Sequence, residues 1–197
     1  MWKRMQGWFG GKPAPEAEGV KTCALDDLYP ILIPKTFAET GAWVGPVEAL
    51  DVDGLDLSWA VQKADTNWVN YLSHAMVASW QEQGADWRAA ATANLTRRVA
   101  TQPWSGELRD DEGRMILVVF LHDDGLGPSR LLVPGLLDEV FPNGYEVAIP
   151  ELTCAVAVGR VEGEEDPRAE QMIQGCFADG TRPVSPRRYA PEVFWGL

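Results

Sequence analysis

The alternation of apolar and polar residues predicts a strand at residues 55–62 (LDLSWAVQ), with a polar face formed by Asp56, Ser58 and Gln62. Because only the other face is apolar, we expect this strand to be half-buried. Residues 115–121 are apolar at every position, which predicts a central strand covered on both faces. Further strand patterns occur at residues 104–109, 145–149 and 152–159, and a tight turn at Pro150 and Glu151 is expected to join the last two.

Apolar residues at helical spacing predict three helices. The first covers residues 65–84, begins at Asp65 or Thr66 and ends at Gly84; the second follows Asp86. The third begins at Pro167 with Asp166 as its cap, and is the clearest. A fourth is expected near Pro134, after a short turn from Ser129, or as one kinked helix.

The order of these elements predicts an α+β domain over residues 21–197. We expect one mixed, mostly antiparallel sheet with about four helices packed on it, and an edge strand after residue 181. Residues 1–20 form a Gly- and Pro-rich linker behind a flexible or amphipathic tail. Trp2, Trp8 and Phe9 could bring that tail to a membrane surface, although a frayed tail is the favoured interpretation.

Charge and cysteine usage narrow the class of protein. The formal net charge of −12 repels a phosphate backbone and argues against a general nucleic-acid binder. No run is long and apolar enough for a transmembrane helix. The three cysteines form no C-x-x-C pair, so we expect reduced core thiols and a cytoplasmic protein.

Residues 121–130 (LHDDGLGPSR), the strand-end loop, hold the candidate chemistry. If the next strand runs parallel to residues 115–121, Glu151 ends beside His122, and Asp123 and Asp124 complete a cluster. His122, Asp124 and Glu151 are then candidate acid–base residues, and His122, Asp123 and Asp124 candidate ligands of Mg²⁺ or Mn²⁺. The alternative is a turn, because Asp-Asp-Gly is ordinary turn chemistry.

The same loop contains a Gly-x-Gly sequence before a predicted helical segment. Arg130 occupies the position where a dinucleotide-binding loop needs glycine, and Pro128 removes an N–H donor, so no cofactor is predicted. Ser129 and Arg130 are candidate ligands of a small anion. Otherwise Ser129 caps the turn and Arg130 pairs with Asp123, Asp124 or Asp138.

Three segments, ATANL at residue 91, SRLLVPGLLDEVF at 129 and RPVSPRRY at 182, together resemble the bacterial YtpQ-like family. The resemblance extends over about residues 25–193. It implies a cytoplasmic bacterial α+β protein and assigns no catalytic residue. Where many of the family's sequences carry Arg-Asp in the second β-pair, this chain has Thr153 and Cys154, so any function of that charged pair is in doubt here.

Two functions follow as hypotheses. The first is a non-enzymatic protein-binding or adaptor module that uses its acidic surface, because no complete catalytic set is visible. The alternative is a metal-dependent or acid–base enzyme around His122 and Glu151. Whether those two side chains face each other distinguishes the hypotheses.

Overall fold

The computed structural model describes residues 25–41, 43, 45–62, 69–161 and 165–195. The proposed N-terminal tail and the expected cap at Asp65 or Thr66 lie outside these residues. The described part of the chain confirms the α+β class, with helices packed against antiparallel strands. None of the described helices is long and apolar enough to cross a membrane.

The strands are β1 (Leu28–Pro34), β2 (Val47–Ala49), β3 (Leu55–Gln62), β4 (Val69–Tyr71), β5 (Gly106–Arg109), β6 (Met115–Phe120), β7 (Tyr145–Glu151), β8 (Cys154–Gly159) and β9 (Pro183–Tyr189). The α-helices are α1 (Lys35–Glu39), α2 (His74–Glu82), α3 (Trp87–Thr101) and α4 (Pro167–Asp179). Short 3₁₀ turns occupy Leu25–Asp27, Pro128–Leu132 and Pro191–Phe194.

The strands divide between two sheets, and do not form the one sheet that was expected. In sheet A, β1 pairs with residues 55–61 of β3, and β2 and β4 pair with the other side of β3. Sheet B has the order β5-β6-β8-β7-β9, and all its neighbours are antiparallel. The strands β6 and β7 therefore point the same way, as the sequence suggested, but β8 lies between them.

Sheet B buries both of its faces. The inner face, with Val118 and Phe120, joins α3 and the apolar face of β3 in the main core, here called the inner core. The outer face, with Leu117 and Val156, packs on Ile173 of α4 to form the outer core. A third cluster on the far side of sheet A is closed by Leu126 of the strand-end loop.

Two predictions were wrong, one about the burial of β3 and one about the position of the turn after β7. The strand β3 is buried at every position, so Asp56, Ser58 and Gln62 are not solvent-facing as expected. Alternation identified its faces but not the loop that covers the polar one. The chain continues in β7 as far as Glu151, so the tight turn lies at Leu152 and Thr153.

Two predicted helices are also wrong in extent. Residues 69–71 form β4, and the helix begins only at His74, where the Ser73 hydroxyl accepts a hydrogen bond from the Met76 N–H. Pairing with β3 therefore outweighs helical spacing at Val69. No α-helix begins near Pro134; the chain forms consecutive turns there instead. The caps at Asp86 and Asp166 are confirmed.

Candidate functional site

The strand-end loop is a turn held by its own aspartate. The Gly125 N–H donates to the His122 carbonyl at 3.3 Å, and Gly125 has a φ of 69°. One carboxylate oxygen of Asp124, Oδ1, accepts from the Leu126 N–H at 2.9 Å. The Asp124 carbonyl accepts from Gln62 Nε2 at 2.7 Å, which joins the loop to sheet A.

Gly127 lets the loop pass close to two other segments. A Cβ at this position would lie 2.7 Å from the Phe120 carbonyl oxygen and 3.0 Å from that of Thr153. No side chain fits such a contact unless the backbone moves. The second glycine of the Gly-x-Gly sequence therefore allows the loop to pass close to the backbone at Phe120 and at Thr153.

Arg130 is almost fully buried, with 1% of its surface exposed. Its guanidinium makes two hydrogen bonds to the Asp124 carboxylate, at 3.1 and 2.9 Å. Its Nε donates to the Gln102 carbonyl at the end of α3, at 3.2 Å. Of the three aspartates considered as partners, Asp124 is the one that pairs. This network joins the loop to the carboxyl end of α3.

The pKa of Asp124 is lowered on balance. Burial acts to raise it, but the hydrogen bonds and charge of Arg130 outweigh that effect. Arg98 adds a weaker contact, with its Nε 3.9 Å from the carboxylate. Asp124 is therefore ionised and already occupied by protein donors.

His122 is buried beside this ion pair. Neither ring nitrogen makes a hydrogen bond to a described residue, although the Gln102 carbonyl lies near enough to favour the charged ring. Burial, and then the charge of Arg130, lower the pKa of His122. The ring is therefore neutral at neutral pH, and its environment disfavours the imidazolium form.

Glu151 lies in a different environment, at the outer face of sheet B. Its carboxylate accepts from the Thr153 N–H at 2.6 Å and from the Thr153 hydroxyl. The Arg182 Nε lies 3.8 Å away, and the backbone at Gly180, just after α4, packs against its side chain. Glu151 thus caps the β7–β8 turn.

The candidate residues separate into two groups. His122, Asp124 and Arg130 come together in the strand-end loop, whereas Asp123 is exposed and Glu151 packs near the end of α4. Among the described residues, no three His, Cys, Asp or Glu side chains are grouped to hold a metal ion.

Ser129 does not cap the 3₁₀ turn Pro128–Leu132, because Gly127 holds the cap position and no side chain bonds there. Ser129 instead lines a pocket of about 20 Å³ with Gln62, Tyr29 and Thr153, between sheet A and the strand-end loop. Such a space suits about one or two water-sized molecules. The anion proposed for Ser129 and Arg130 would have to displace Asp124 from the guanidinium.

Two partners in this network were missed by the sequence analysis. Gln62 was expected to face solvent, and the backbone carbonyl of Gln102 carries no sequence signal. Gln62 stood on the polar face of an otherwise well-patterned strand. Its burial depends on a loop that crosses it from more than 60 residues away.

The surface charges are unequally paired. Most of the described arginines contact a carboxylate: Arg88, Arg98, Arg109, Arg114, Arg130, Arg160, Arg168, Arg182, Arg187 and Arg188. In contrast Asp138, Glu139 and Glu192 are exposed, and none makes an ion pair with a described residue. The surface that remains unpaired is therefore acidic.

Comparisons with known protein families, with curated proteins and with solved structures find no match to this chain. The YtpQ-like resemblance consequently stays a prediction. The arrangement of its own side chains carries what can be inferred about its function.

Proposed function

We propose that the chain is a protein-binding module that recognises a basic, amphipathic partner segment through its acidic surface. The observation that carries this proposal is the charge imbalance of the described surface. Its arginines are largely neutralised by carboxylates, whereas exposed acidic side chains at one end make no ion pair with a described residue. A complementary positive partner would gain both association rate and specificity there.

The binding surface is assigned to Asp138, Glu139 and Glu192, here called the acidic end surface. Burial first, and then the charges of Asp138 and Glu192, raise the pKa of Tyr145 to about 12, so both carboxylates act on one side chain. The 3₁₀ turns Pro128–Leu132 and Pro191–Phe194 contact each other at the same end.

Apolar side chains lie close in sequence to the three carboxylates of the acidic end surface. Leu136, Val140 and Val193 are partly buried and pack on the inner core from the segments that carry the acids. An apolar centre with a charged rim is typical of protein interfaces. It favours a partner segment with both basic and apolar residues over a simple polycation.

The test uses a fluorescent synthetic peptide of lysine and leucine, designed as an amphipathic helix, and follows its anisotropy at low and high salt. The variant Asp138→Asn/Glu139→Gln/Glu192→Gln should weaken binding about tenfold, which equals about 1.4 kcal/mol. The matched control, Asp26→Asn/Glu82→Gln/Asp111→Asn, removes three exposed carboxylates elsewhere and should change binding less than about threefold.

Equal losses in the two variants would overturn the assignment, because attraction would then follow net charge alone. Absence of peptide binding at low salt would overturn the function itself. Circular dichroism spectra of both variants must match the unaltered chain.

The acid–base alternative has less support from the geometry. It needs His122 and Glu151 to share one substrate, but Glu151 bonds Thr153 and packs against Gly180, while His122 lies beside Arg130. Membership of the YtpQ-like family and a cytoplasmic location remain part of the proposal.

A further inference from the structure

Two cysteines from distant parts of the chain meet at the outer face of sheet B. Cys154 begins β8, and Cys176 lies in the second half of α4. Their sulfur atoms are 3.8 Å apart, and both are free thiols. This contact was not predicted, because 22 positions separate the two residues along the chain.

The two thiols differ in access. Cys154 is buried, with 5% of its surface exposed, whereas Cys176 is only partly buried. Cys176 lines an open groove of about 470 Å³ between α4 and β5, together with Leu108, Met172 and Gly175. No atom lies within 4 Å of the position where a Gly175 Cβ would stand, so the groove is open beside the thiol.

The hydrogen bond between the sulfurs has a direction. Burial first, and then the neighbouring Cys176, raise the pKa of the Cys154 thiol. Cys154 therefore keeps its proton and donates it toward the Cys176 sulfur. Cys176, which lines the open groove, is therefore the sulfur that small molecules can reach.

We propose that Cys176 and Cys154 form a peroxide-oxidised dithiol site, in which Cys176 is attacked first and Cys154 closes the disulfide. The Cys176 thiolate attacks one oxygen of a hydroperoxide; the O–O bond breaks, giving a sulfenic acid and, after protonation of the leaving oxygen, water or an alcohol. The Cys154 sulfur then attacks the sulfenic sulfur. The S–O bond breaks and the Cys154 proton leaves with the hydroxide as water.

In total, two thiols and one hydroperoxide are converted into one disulfide, one water and one further water or alcohol. The pair is oxidised by two electrons and the peroxide is reduced. Since the sulfurs already lie in contact, closure needs an approach of less than 2 Å, because a disulfide bond is about 2.05 Å long. The new bond would fasten α4 to β8 across the outer core. This modification goes beyond the proposed binding function, and each can fail without the other.

The test begins with the full chain, fully reduced, exposed to hydrogen peroxide and then to N-ethylmaleimide. Peptide mapping without reductant should show a Cys154–Cys176 crosslink, and dithiothreitol should reverse it. The Cys23→Ser variant controls for the remaining cysteine and should form the same crosslink at the same rate.

Single variants test the order of the two steps. In Cys154→Ser the sulfenic acid has no resolving thiol, so dimedone labelling of Cys176 should rise at least about tenfold over the unaltered chain. In Cys176→Ser, dimedone labelling of Cys154 should stay near background. A crosslink through Cys23 instead, or equal dimedone labelling of Cys176 in the unaltered chain and Cys154→Ser, would overturn the proposal.

Discussion

The strand-end loop and the outer face of sheet B use buried polar groups in opposite ways. In the loop, Arg130 and Asp124 satisfy each other, and further hydrogen bonds from Arg130 and to the Asp124 carbonyl fasten the loop to α3 and β3. On the outer face, Cys154 and Cys176 make one weak contact beside an open groove. Arg130 of the loop network is almost fully buried, whereas Cys176 of the outer pair is partly exposed.

This contrast shows why conspicuous residue types are a poor guide to reactivity here. The His-Asp-Asp sequence has the residue types of a catalytic site, but its buried carboxylate, Asp124, is bonded to Arg130, and Asp123 is exposed. Cys176, which belongs to no motif, retains a partly exposed sulfur. Reactivity depends on which groups remain unsatisfied and reachable after folding.

The largest effect is expected from Arg130→Met. The substitution leaves the Asp124 carboxylate without its guanidinium in a mostly buried site, so the free energy of unfolding should fall by about 3 kcal/mol. Arg98→Met removes the 3.9 Å contact from a more exposed side chain and should cost less than about 1 kcal/mol.

Urea denaturation at neutral pH measures both effects, and Arg130→Lys should fall between them because lysine lacks the planar two-donor fork. If Arg98→Met costs as much as Arg130→Met, the buried ion pair is not the main support of the loop.

A pair of glycine substitutions compares the strand-end loop with α4 on the outer face, without changing charge. Gly127→Ala would force a Cβ against two carbonyl oxygens and should destabilise the chain by about 2 kcal/mol. Gly175→Ala meets nothing within 4 Å inside α4 and should stabilise it by about 0.5–1 kcal/mol. Thermal unfolding of the two variants should shift the midpoint in opposite directions; a shift of the same sign would refute the comparison.

A smaller effect is expected in the pH dependence of stability. Folding lowers the pKa of His122, through burial and then Arg130, so the unfolded chain binds more protons. The contribution of His122 is complete above the unfolded value of about 6.5 and is lost as pH falls through the lower folded value. Asp124, whose pKa is also lowered, acts in the same direction below about pH 4.

His122→Gln should therefore flatten the fall in urea midpoint between about pH 6.5 and pH 5. His74→Gln, on the exposed side of α2, is the matched control and should leave the slope unchanged. Parallel slopes in the unaltered chain and His122→Gln would contradict this account of the strand-end loop.

Local signals predicted much of the fold. Asp86 and Asp166 cap the helices they were expected to cap, because each cap depends on residues within one turn. The division into two sheets and the burial of Gln62 depend on contacts between remote segments. The true start of α2 also depended on such a contact, since pairing with β3 competes with helical spacing at residues 69–71.

In the candidate site too, local contacts could be predicted from the sequence and contacts set by the fold could not. Turn chemistry at Asp124 and Gly125 could be predicted from four adjacent residues. The choice of Asp124 as the partner of Arg130, and the displacement of Glu151 to the other side of sheet B, could not. The first depends on how the loop folds back on itself, and the second on the β7–β8 turn and on the packing of the chain at Gly180.

The edges of sheet B have a consequence for self-association. The edge strand β9 carries Pro183 and Pro186, which lack backbone N–H donors, and the opposite edge strand β5 is only four residues long. Neither edge presents a long, continuous row of free backbone groups, so adding a strand from another chain is disfavoured. Sheet B is thus protected from growing into an aggregate, and a partner is left to engage side chains instead of backbone.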